Sequence, residues 1–382
     1  MRIQLLVLMS CLFSSSGFTQ DEVFPEILTT ETWASPDFYQ VKALGYNEQT
    51  FDVPESLKED VDFWIKIYTK YTTQQGVFHY AGDALRVLGE IDLSQVYVHA
   101  GWSAIRKEKE AELIIRRQKK LIAQKFKISD IKKIRLQMGL KDRMAEAIKI
   151  SGMYFPMIEK IFKEQKLPLE LTRVVFVESS FNILAQSKVG ASGLWQIMPR
   201  VSKKFKYISE YQDLRNHPMY ATKLAAVILK QNYQILKSWP LAVTAYNHGV
   251  GSLGKLVRKY KSNDIGFLIE NVSSKKSFGF ASRSFYATYL AALKVETNAN
   301  LYFPEPVFKF PEQQVKYLKL TKKIPYEKLL AAFDQDRVKL KIFNPHIKNS
   351  LLKPGKILPV GLIANVPALN TSKIADSREI SF

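Results

Sequence analysis

Glu178 is the residue whose type and surroundings most clearly suggest chemistry. The apolar residues around it are Leu171, Val174, Val175, Val177 and Phe181. No basic residue lies three or four positions away on either side, so nothing on the same helix face pairs the carboxylate. A carboxyl group in apolar surroundings holds its proton more tightly, as a general acid working near neutral pH requires. A Glu178 that faces solvent or makes a structural hydrogen bond would fit the same pattern, and the residues alone leave both interpretations open.

Three sequence blocks around Glu178 follow one another in a set order. They read VESSFN at 177–182 continuing through Ser187 to GASGLWQIMP at 190–199, then DLRNHP at 213–218, then AYNHG at 245–249. Together they resemble the family 1 lytic transglycosylases. That family has a Glu-Ser pair, a Ser, Gly-Ala-x-Gly-Leu and Gln-Ile-Met-Pro, followed by Asp-x-Arg-x-x-Pro and Ala-Tyr-Asn-x-Gly. The resemblance covers about a third of the chain and predicts a mainly α, goose-type lysozyme-like SLT catalytic domain.

The resemblance also implies a mechanism that needs a single protein carboxyl group. Glycosidases usually use two carboxylates, and no Asp or Glu lies near the motif in a position to be the second. In the family, the residue matching Glu178 protonates the oxygen between N-acetylmuramic acid and N-acetylglucosamine, and the muramic N-acetyl carbonyl stabilises the anomeric centre. The carboxylate then takes the proton of the O6 hydroxyl, which closes a 1,6-anhydro ring. Because no water is consumed, the expected enzyme is a peptidoglycan lyase that remodels or turns over the cell wall.

Four further residues match family positions that bind substrate. Ser187 and Gln196 correspond to residues that hydrogen-bond substrate around the acid, Tyr246 to the Tyr that orients the N-acetyl carbonyl, and Asn247 follows it in the same block. Each also has a structural interpretation. Ser187 would serve as a helix cap, Gln196 and Asn247 would make turn hydrogen bonds, and Tyr246 would pack in the core.

One block departs from the family. Many members have Glu-Thr-Arg-x-Tyr after the Ala-Tyr-Asn block, whereas this chain has FGFASRSFY at 278–286. Arg283 is retained and Ala281 replaces the Glu. If that Glu adjusts the pKa of the catalytic acid or holds a loop in the family, another group must do so in this chain.

The elements that would carry these residues are mainly helices. Val61, Trp64, Ile65 and Tyr68 recur at helical spacing, and we expect a signal peptide at 1–20, an N-terminal helical region at 51–165 and the catalytic domain at 166–298. Prolines near 304–306 indicate a linker.

A small α+β module at 312–368 resembles a degenerate LysM repeat. It combines the strand-like VKYLKL at 315–320, a helix from Tyr326 to Phe333 and an extended end near 358–367. LTKK at 320–323 replaces the family's Gly-Asp-Thr, so both a glycan-binding module and a structural remnant remain open. Residues 369–382 are polar and predicted to be disordered.

The composition and net charge of the chain exclude some classes of protein. The chain has 382 residues, 46% of them hydrophobic, with 56 Lys and Arg, 36 Asp and Glu, a formal charge of +20 and one Cys. One Cys forms no internal disulfide, and one Cys with five scattered His excludes a zinc finger. The charge predicts attraction to a polyanion, and peptidoglycan carries muramyl-peptide carboxylates.

The N-terminus predicts export. A basic start, an apolar run at 3–13 and small residues at 14–17 form a signal peptide too short to span a membrane. LMSC at 8–11 resembles a lipobox, so Cys11 is either a lipid anchor or leaves with a signal cleaved near Gly17. We therefore expect an exported protein of the periplasm or cell envelope, attached to the outer membrane if lipidated, with nucleic acid disfavoured as a partner.

Two alternative functions remain open at this point. One is a lysozyme-like muramidase of the same fold, which would need a placed water. The other is a catalytically silent peptidoglycan-binding protein, which Ala281 and the additional helical region would favour. No cofactor or metal is implied.

Overall fold

The computed structural model of the chain describes residues 51–272, 278–374 and 377–380. Its elements are mainly helices, which confirms the predicted fold class. The predicted signal peptide and Cys11 lie outside these residues. Among the described helices, none is long and apolar enough to cross a membrane.

The described residues form two compact units. One contains residues 150–228 and 309–380 and includes Glu178; we call it the Glu178 unit. The other contains residues 51–149 and 229–308 and is called the Tyr246 unit. Two helices, Lys141–Glu164 and Pro218–Leu236, each begin in one unit and end in the other. The domain boundaries given above stay predictions.

Helices form most of the Tyr246 unit. Helix Phe280–Thr297 is buried along most of its length and packs against Lys58–Thr69 and Trp239–His248. Phe51 contacts Trp239 and Tyr289 with ring centroids 6.4 and 5.8 Å apart. The remaining helices of this unit are Ser94–Tyr97, Ala104–Lys125, Val250–Tyr260, Ile265–Asn271 and Ala299–Tyr302.

The Tyr246 unit also contains an antiparallel sheet, so the prediction that residues 51–165 are helical throughout is wrong. Strand Gln75–Tyr80 lies between Asp83–Asp92 and Ile134–Met138. The sheet and helix Ala104–Lys125 share a small core of their own. Its buried members are Phe78, Leu88, Ile91, Leu93, Val96, Ala111, Ile122 and Ile134. A two-residue connection, Ala81-Gly82, joins the first two strands as a hairpin.

The Glu178 unit combines short helices with the C-terminal module. Its helices and 3-10 turns are Leu169–Arg173, Val174–Glu178, Pro199–Lys203, Leu214–Asn216, Tyr326–Ala331 and Arg337–Phe343. Helix Lys141–Glu164 enters it close to the backbone of Phe310, where a Cβ added to Gly152 would lie 2.1 Å from the Phe310 carbonyl oxygen. Only glycine allows that close approach.

In the C-terminal module, Val315–Leu320 is the central strand of a three-stranded sheet. Ile363–Pro367 and Ser377–Glu379 pair with it on either side, and Ile324–Pro325 pairs with Ile357–Leu358. The strand at 315–320 and the helix beginning at Tyr326 are as predicted. The disordered tail is a wrong prediction for residues 369–374 and 377–380, because a 3-10 helix, Ala368–Ile374, buries Ile374 in the module core. The LysM assignment stays a prediction.

Candidate active site

Glu178 is the last residue of the short helix Val174–Glu178. Pro168 precedes the 3-10 helix Leu169–Arg173, which leads directly into it. The four residues before Glu178 in this helix are buried, while Glu178 itself keeps partial exposure to solvent. The apolar segment seen in the sequence thus anchors the helix and leaves its final carboxyl group at the edge of the core.

The chain turns sharply after Glu178. Ser180 and Phe181 both have left-handed backbone conformations, with φ of 50° and 61°, which cost free energy for residues other than glycine. The Phe181 ring is buried and lies 4.9 Å from the Phe176 ring and 5.1 Å from the Phe155 ring, measured between centroids. This aromatic cluster stabilises the strained turn and so fixes the end of the helix that carries Glu178.

The electrostatic surroundings of Glu178 favour its protonated form. Loss of hydration raises the pKa of the Glu178 carboxyl from 4.5 to about 8. Arg173 is the nearest cation along the chain, but its guanidinium lies 2.6 Å from the Glu159 carboxylate and over the Phe155 ring. This raised pKa favours the protonated carboxyl group at neutral pH, and the role of Glu178 as the catalytic acid stays a prediction.

Ser187 and Gln196 lie on one loop that follows Glu178. The Ser187 hydroxyl oxygen accepts a hydrogen bond from the Ala191 N–H at 2.9 Å, so this side chain also stabilises a turn. Gln196 is buried with a left-handed φ of 44°. Its Nε2 donates to the carbonyl oxygens of Ala185 and Gly193, while its Oε1 is buried without a hydrogen-bond partner. The loop thus holds one acceptor atom that a ligand could satisfy.

Arg215, from the second sequence block, supports this loop. Its guanidinium donates to the carbonyl oxygens of Gly190 and Ile197 at 2.6 and 3.0 Å. It also forms an ion pair of 2.6 Å with Asp213. Gly193 packs so closely on this segment that an added Cβ would lie 2.2 Å from the Arg215 carbonyl oxygen. The Asp-x-Arg block therefore holds the loop in shape, a role that its residue types did not reveal.

Trp195 and Met198 differ in their surroundings. Trp195 is fully buried, stacks on Phe162 with centroids 5.5 Å apart and donates from Nε1 to the Thr222 hydroxyl. Met198 is exposed. Trp195 is therefore a core residue, and Met198 presents an apolar surface beside the loop.

Tyr246 and Asn247 lie in the last turn of helix Trp239–His248, in the Tyr246 unit. Both side chains are partly exposed. Gly249 ends the helix with a φ of 90°, a conformation that favours glycine. The Asn247 Oδ1 accepts a hydrogen bond from the Ser282 hydroxyl at 3.2 Å, and the His248 Nδ1 lies 3.0 Å from the same hydroxyl. Sequence reasoning missed His248 and Ser282.

Arg283 has a structural role in the block that departs from the family. It donates hydrogen bonds to the carbonyl oxygens of Phe278, Ile269 and Val272. Two of these belong to the end of helix Ile265–Asn271 and the residue after it. Arg283 thus caps that helix and holds the Phe278 backbone just before Phe280–Thr297, a role that does not involve Ala281.

Metal-binding side chains do not cluster in the described part of the chain, where no group of three or more His, Cys, Asp or Glu could hold an ion. The five predicted site residues are divided between the units, with Glu178, Ser187 and Gln196 in one and Tyr246 and Asn247 in the other.

Comparison with known proteins identifies the segment that carries Glu178. Residues 155–267 match the model of the Transglycosylase SLT domain, which confirms the expected family resemblance. A putative tributyltin chloride resistance protein of Alteromonas sp. (strain M-1) is 31% identical over 119 residues, 30% of this chain and 58% of that protein. Membrane-bound lytic murein transglycosylase D of Escherichia coli (strain K12) is 30% identical over 102 residues, 26% of this chain and 23% of that protein.

The chain spans just over half the length of the first of these relatives and less than a quarter of the second. Among solved structures, the 70 kDa soluble lytic transglycosylase Slt70 of Escherichia coli is 20% identical, with a TM-score of 0.31 over 39% of this chain and 24% of that one. The lytic transglycosylase Slt of Pseudomonas aeruginosa is 20% identical, with a TM-score of 0.28 over 41% of this chain and 26% of that one.

Proposed function

We propose that this chain, whose residues 155–267 match the model of the Transglycosylase SLT domain, is a peptidoglycan lytic transglycosylase. The observation that carries the proposal is Glu178, whose carboxyl group has its pKa raised to about 8 by loss of hydration within that domain. A protonated carboxylic acid at neutral pH is what the cleavage of a glycosidic bond requires.

The reaction would use Glu178 twice. As an acid it protonates the oxygen that links N-acetylmuramic acid to N-acetylglucosamine, and that bond breaks. As a carboxylate it then accepts the proton of the muramic O6 hydroxyl while O6 bonds to the anomeric carbon. The products are a 1,6-anhydro end and a free N-acetylglucosamine hydroxyl, so atoms balance without water.

The other predicted residues would bind and orient the substrate. Ser187 and Gln196 lie on the loop after Glu178, and the buried Gln196 Oε1 is suited to accept a hydrogen bond from a sugar N–H or hydroxyl. Tyr246 would orient the N-acetyl carbonyl that stabilises the anomeric centre. Asn247 would donate from its amide to the sugar.

Two carboxylates of the Glu178 unit are engaged in ion pairs, which favours a lyase over a hydrolase that would use either of them as its second catalytic carboxylate. Asp213 is paired with Arg215, and Glu159 with Arg173. An inverting hydrolase would need a carboxylate free to activate water, and a retaining one a free nucleophile. Stabilisation by the substrate's own N-acetyl group removes that need.

Glu178→Gln tests the proposal because it keeps the shape of the side chain and removes the proton. Purified wild type and variant are incubated with peptidoglycan sacculi, and the released muropeptides are analysed by mass spectrometry. We expect 1,6-anhydro ends from the wild type and at least a hundredfold loss in the variant. The exposed Glu164→Gln is the matched control and should retain full activity.

The alternative functions give different results in this experiment. Reducing ends without anhydro ends would identify a muramidase. Wild-type release no greater than that of the Glu178→Gln variant would indicate a silent binding protein and overturn the enzyme proposal.

We further propose that the protein acts in the cell envelope and that its charge of +20 retains it on anionic peptidoglycan. Attraction between exposed charges weakens when salt shortens the screening length. Raising sodium chloride from about 50 to about 500 mM should release most of the protein from sacculi in a pull-down. Replacing Cys11 with Ser and following radiolabelled palmitate in bacterial cells tests the lipid anchor.

A further inference from the structure

Three side chains near the start of helix Phe280–Thr297 form a hydrogen-bonded series within the Tyr246 unit. The His248 Nδ1 lies 3.0 Å from the Ser282 Oγ, and the Ser282 hydroxyl donates to the Asn247 Oδ1 at 3.2 Å. Ser282 is buried, and the His248 Nε2 is buried without a hydrogen-bond partner. None of these contacts was implied by the sequence blocks.

The count of hydrogens gives this series a direction. Ser282 has one hydroxyl hydrogen, and because it goes to Asn247, the His248 Nδ1 must carry the hydrogen that points at Ser282. The His248 Nε2 then has only a lone pair, and a buried lone pair without a partner is tolerated better than a buried N–H. Burial lowers the pKa of His248, which keeps the imidazole neutral. With its oxygen bound by the Ser282 hydroxyl, the Asn247 amide keeps its Nδ2 group as a donor.

The N-terminal sheet holds Ser282 in place. Phe280, two residues earlier, stacks on the His79 ring with centroids 5.3 Å apart, and the Arg135 guanidinium lies 4.6 Å from the centroid of the same ring. His79 and Arg135 come from two neighbouring strands, Gln75–Tyr80 and Ile134–Met138. On the other side, Phe278 packs edge-on against His248 at 5.2 Å. Contacts with the sheet and with His248 therefore hold the residues at and just before the start of the helix.

We propose that Ser282 and His248 are positioning residues that orient the Asn247 amide toward substrate, and that the N-terminal sheet supports them through Phe280. The proposal rests on the function proposed above. It assigns a role to the additional N-terminal region, which has no counterpart in the three sequence blocks.

Ser282→Ala is the test, with Ser284→Ala as the matched control. Ser284 is buried in the same helix two residues later, so both variants remove one buried hydroxyl. With soluble glycan fragments of peptidoglycan as substrate, we expect Ser282→Ala to lower kcat about five- to tenfold and Ser284→Ala to leave it within twofold. Ser282→Thr, which keeps the hydroxyl, should restore at least half of the wild-type kcat.

A double-variant cycle separates positioning from a general structural effect. If Ser282 acts through Asn247, then Ser282→Ala combined with Asn247→Ala should be no slower than Asn247→Ala alone. Effects that multiply, or a Ser282→Ala variant indistinguishable from Ser284→Ala, would overturn the proposal.

A second measurement keeps the proposal independent of activity. In NMR spectra, the Asn247 side-chain amide protons should broaden or shift in Ser282→Ala and in His248→Ala, and keep their positions in Ser284→Ala. An unchanged Asn247 amide refutes the positioning role even if the wild type releases no anhydro product. A changed amide in an inactive wild type refutes only the proposed function.

Discussion

At the scale of the residue, the Glu178 carboxyl group lies in apolar surroundings and is still partly exposed to solvent. The four preceding residues of its helix are buried, and the following turn is held by the Phe181 cluster. These surroundings raise the pKa of Glu178 to about 8. Two measurable consequences follow, one for activity and one for stability.

The first prediction concerns the pH dependence of cleavage. Glu178 must be protonated to act as the acid, so kcat/KM should be level near neutral pH and fall about tenfold per pH unit above about pH 8. Initial rates on soluble glycan fragments in buffers from about pH 6 to about pH 10 give the profile. A profile that falls already above about pH 5 would show that Glu178 keeps an ordinary pKa.

The second prediction concerns the free energy of unfolding. The unfolded chain ionises Glu178 near 4.5, whereas the folded protein holds the proton up to a pKa of about 8. The folded state therefore binds more protons between these values, and the stability present below the lower value is lost as pH rises through the upper one. Glu178→Gln cannot ionise and should gain stability relative to wild type between about pH 5 and about pH 9, by about 1.4 kcal/mol for each unit of pKa shift.

Urea unfolding of the wild type and of Glu178→Gln at about pH 5 and at about pH 9 measures the difference in their free energies of unfolding. The exposed Glu164→Gln serves as the control and should follow the wild type at each pH. A difference between Glu178→Gln and wild type that stays constant with pH would contradict the raised pKa.

At the scale of the element, the loop that carries Ser187 and Gln196 depends on one guanidinium group. Arg215 joins the carbonyl oxygens of Gly190 and Ile197 to the carboxylate of Asp213. A loop with two positive-φ glycines, at 190 and 193, and a left-handed Gln196 has little regular structure of its own. Its shape therefore comes from this side chain.

The third prediction is that Arg215→Lys loosens the loop. A Lys ammonium cannot reproduce the planar fork of donors, so the variant loses hydrogen bonds to the Gly190 and Ile197 carbonyl oxygens and should lose about 2 kcal/mol of stability. Amide hydrogen exchange should rise in residues 185–199, and cleavage should slow. Arg200→Lys, at an exposed position after the loop, is the control. Equal exchange in both variants would refute the role of Arg215.

The sequence predicted the elements whose pattern is local. The helix before Glu178, the strand at 315–320 and the helix beginning at Tyr326 all follow from their apolar spacing and their prolines. The central strand Gln75–Tyr80 was missed because four consecutive residues of it are buried, so it lacks the apolar–polar alternation that marks a strand in a sequence. The ordered residues after 368 were missed because one buried side chain, Ile374, anchors a polar segment.

The candidate site was also predictable only where the signal lies within one short segment of the sequence. Glu178 stands out because it is a lone carboxylate in an apolar segment. His248 and Ser282 carry no such signal, since their partnership depends on two helices that meet in space. The role of Arg215 was likewise hidden, because its carbonyl partners are backbone atoms that any residue provides.

At the scale of the whole molecule, the C-terminal module completes the Glu178 unit. The Gln212 Oε1 accepts a hydrogen bond from the Ile363 N–H, and the Asp213 N–H donates to the His346 carbonyl oxygen. Beside them His217 and His346 are both buried, with ring centroids 4.5 Å apart. Burial lowers the pKa of His346 to about 4 and holds that of His217 well below its ordinary value of 6.5.

The fourth prediction is a loss of stability in acid. Unfolded histidines bind protons near 6.5, and these two do not do so while folded, so stability present above that pH is lost as pH falls from 6.5 toward about 4. His217→Phe removes one of the two imidazoles, and His217 is the one whose two buried ring nitrogens both lack hydrogen-bond partners. The variant should therefore lose less unfolding free energy over this range than the wild type.

Thermal unfolding at about pH 7 and about pH 4.5 gives the comparison, with the exposed His99→Phe as the control. An equal loss in all three proteins would assign the acid sensitivity to other groups.

The close approach of Gly152 to the Phe310 backbone has a consequence for the order in which the protein is made. Residues 150–228 share a compact unit with residues 309–374, yet all of residues 229–308 leave the ribosome between them. The face of helix Lys141–Glu164 that packs on Phe310 stays uncovered until Phe310 has been synthesised, because contacts between distant segments form late. Nascent protein therefore lacks a finished Glu178 unit until synthesis has passed the C-terminal module.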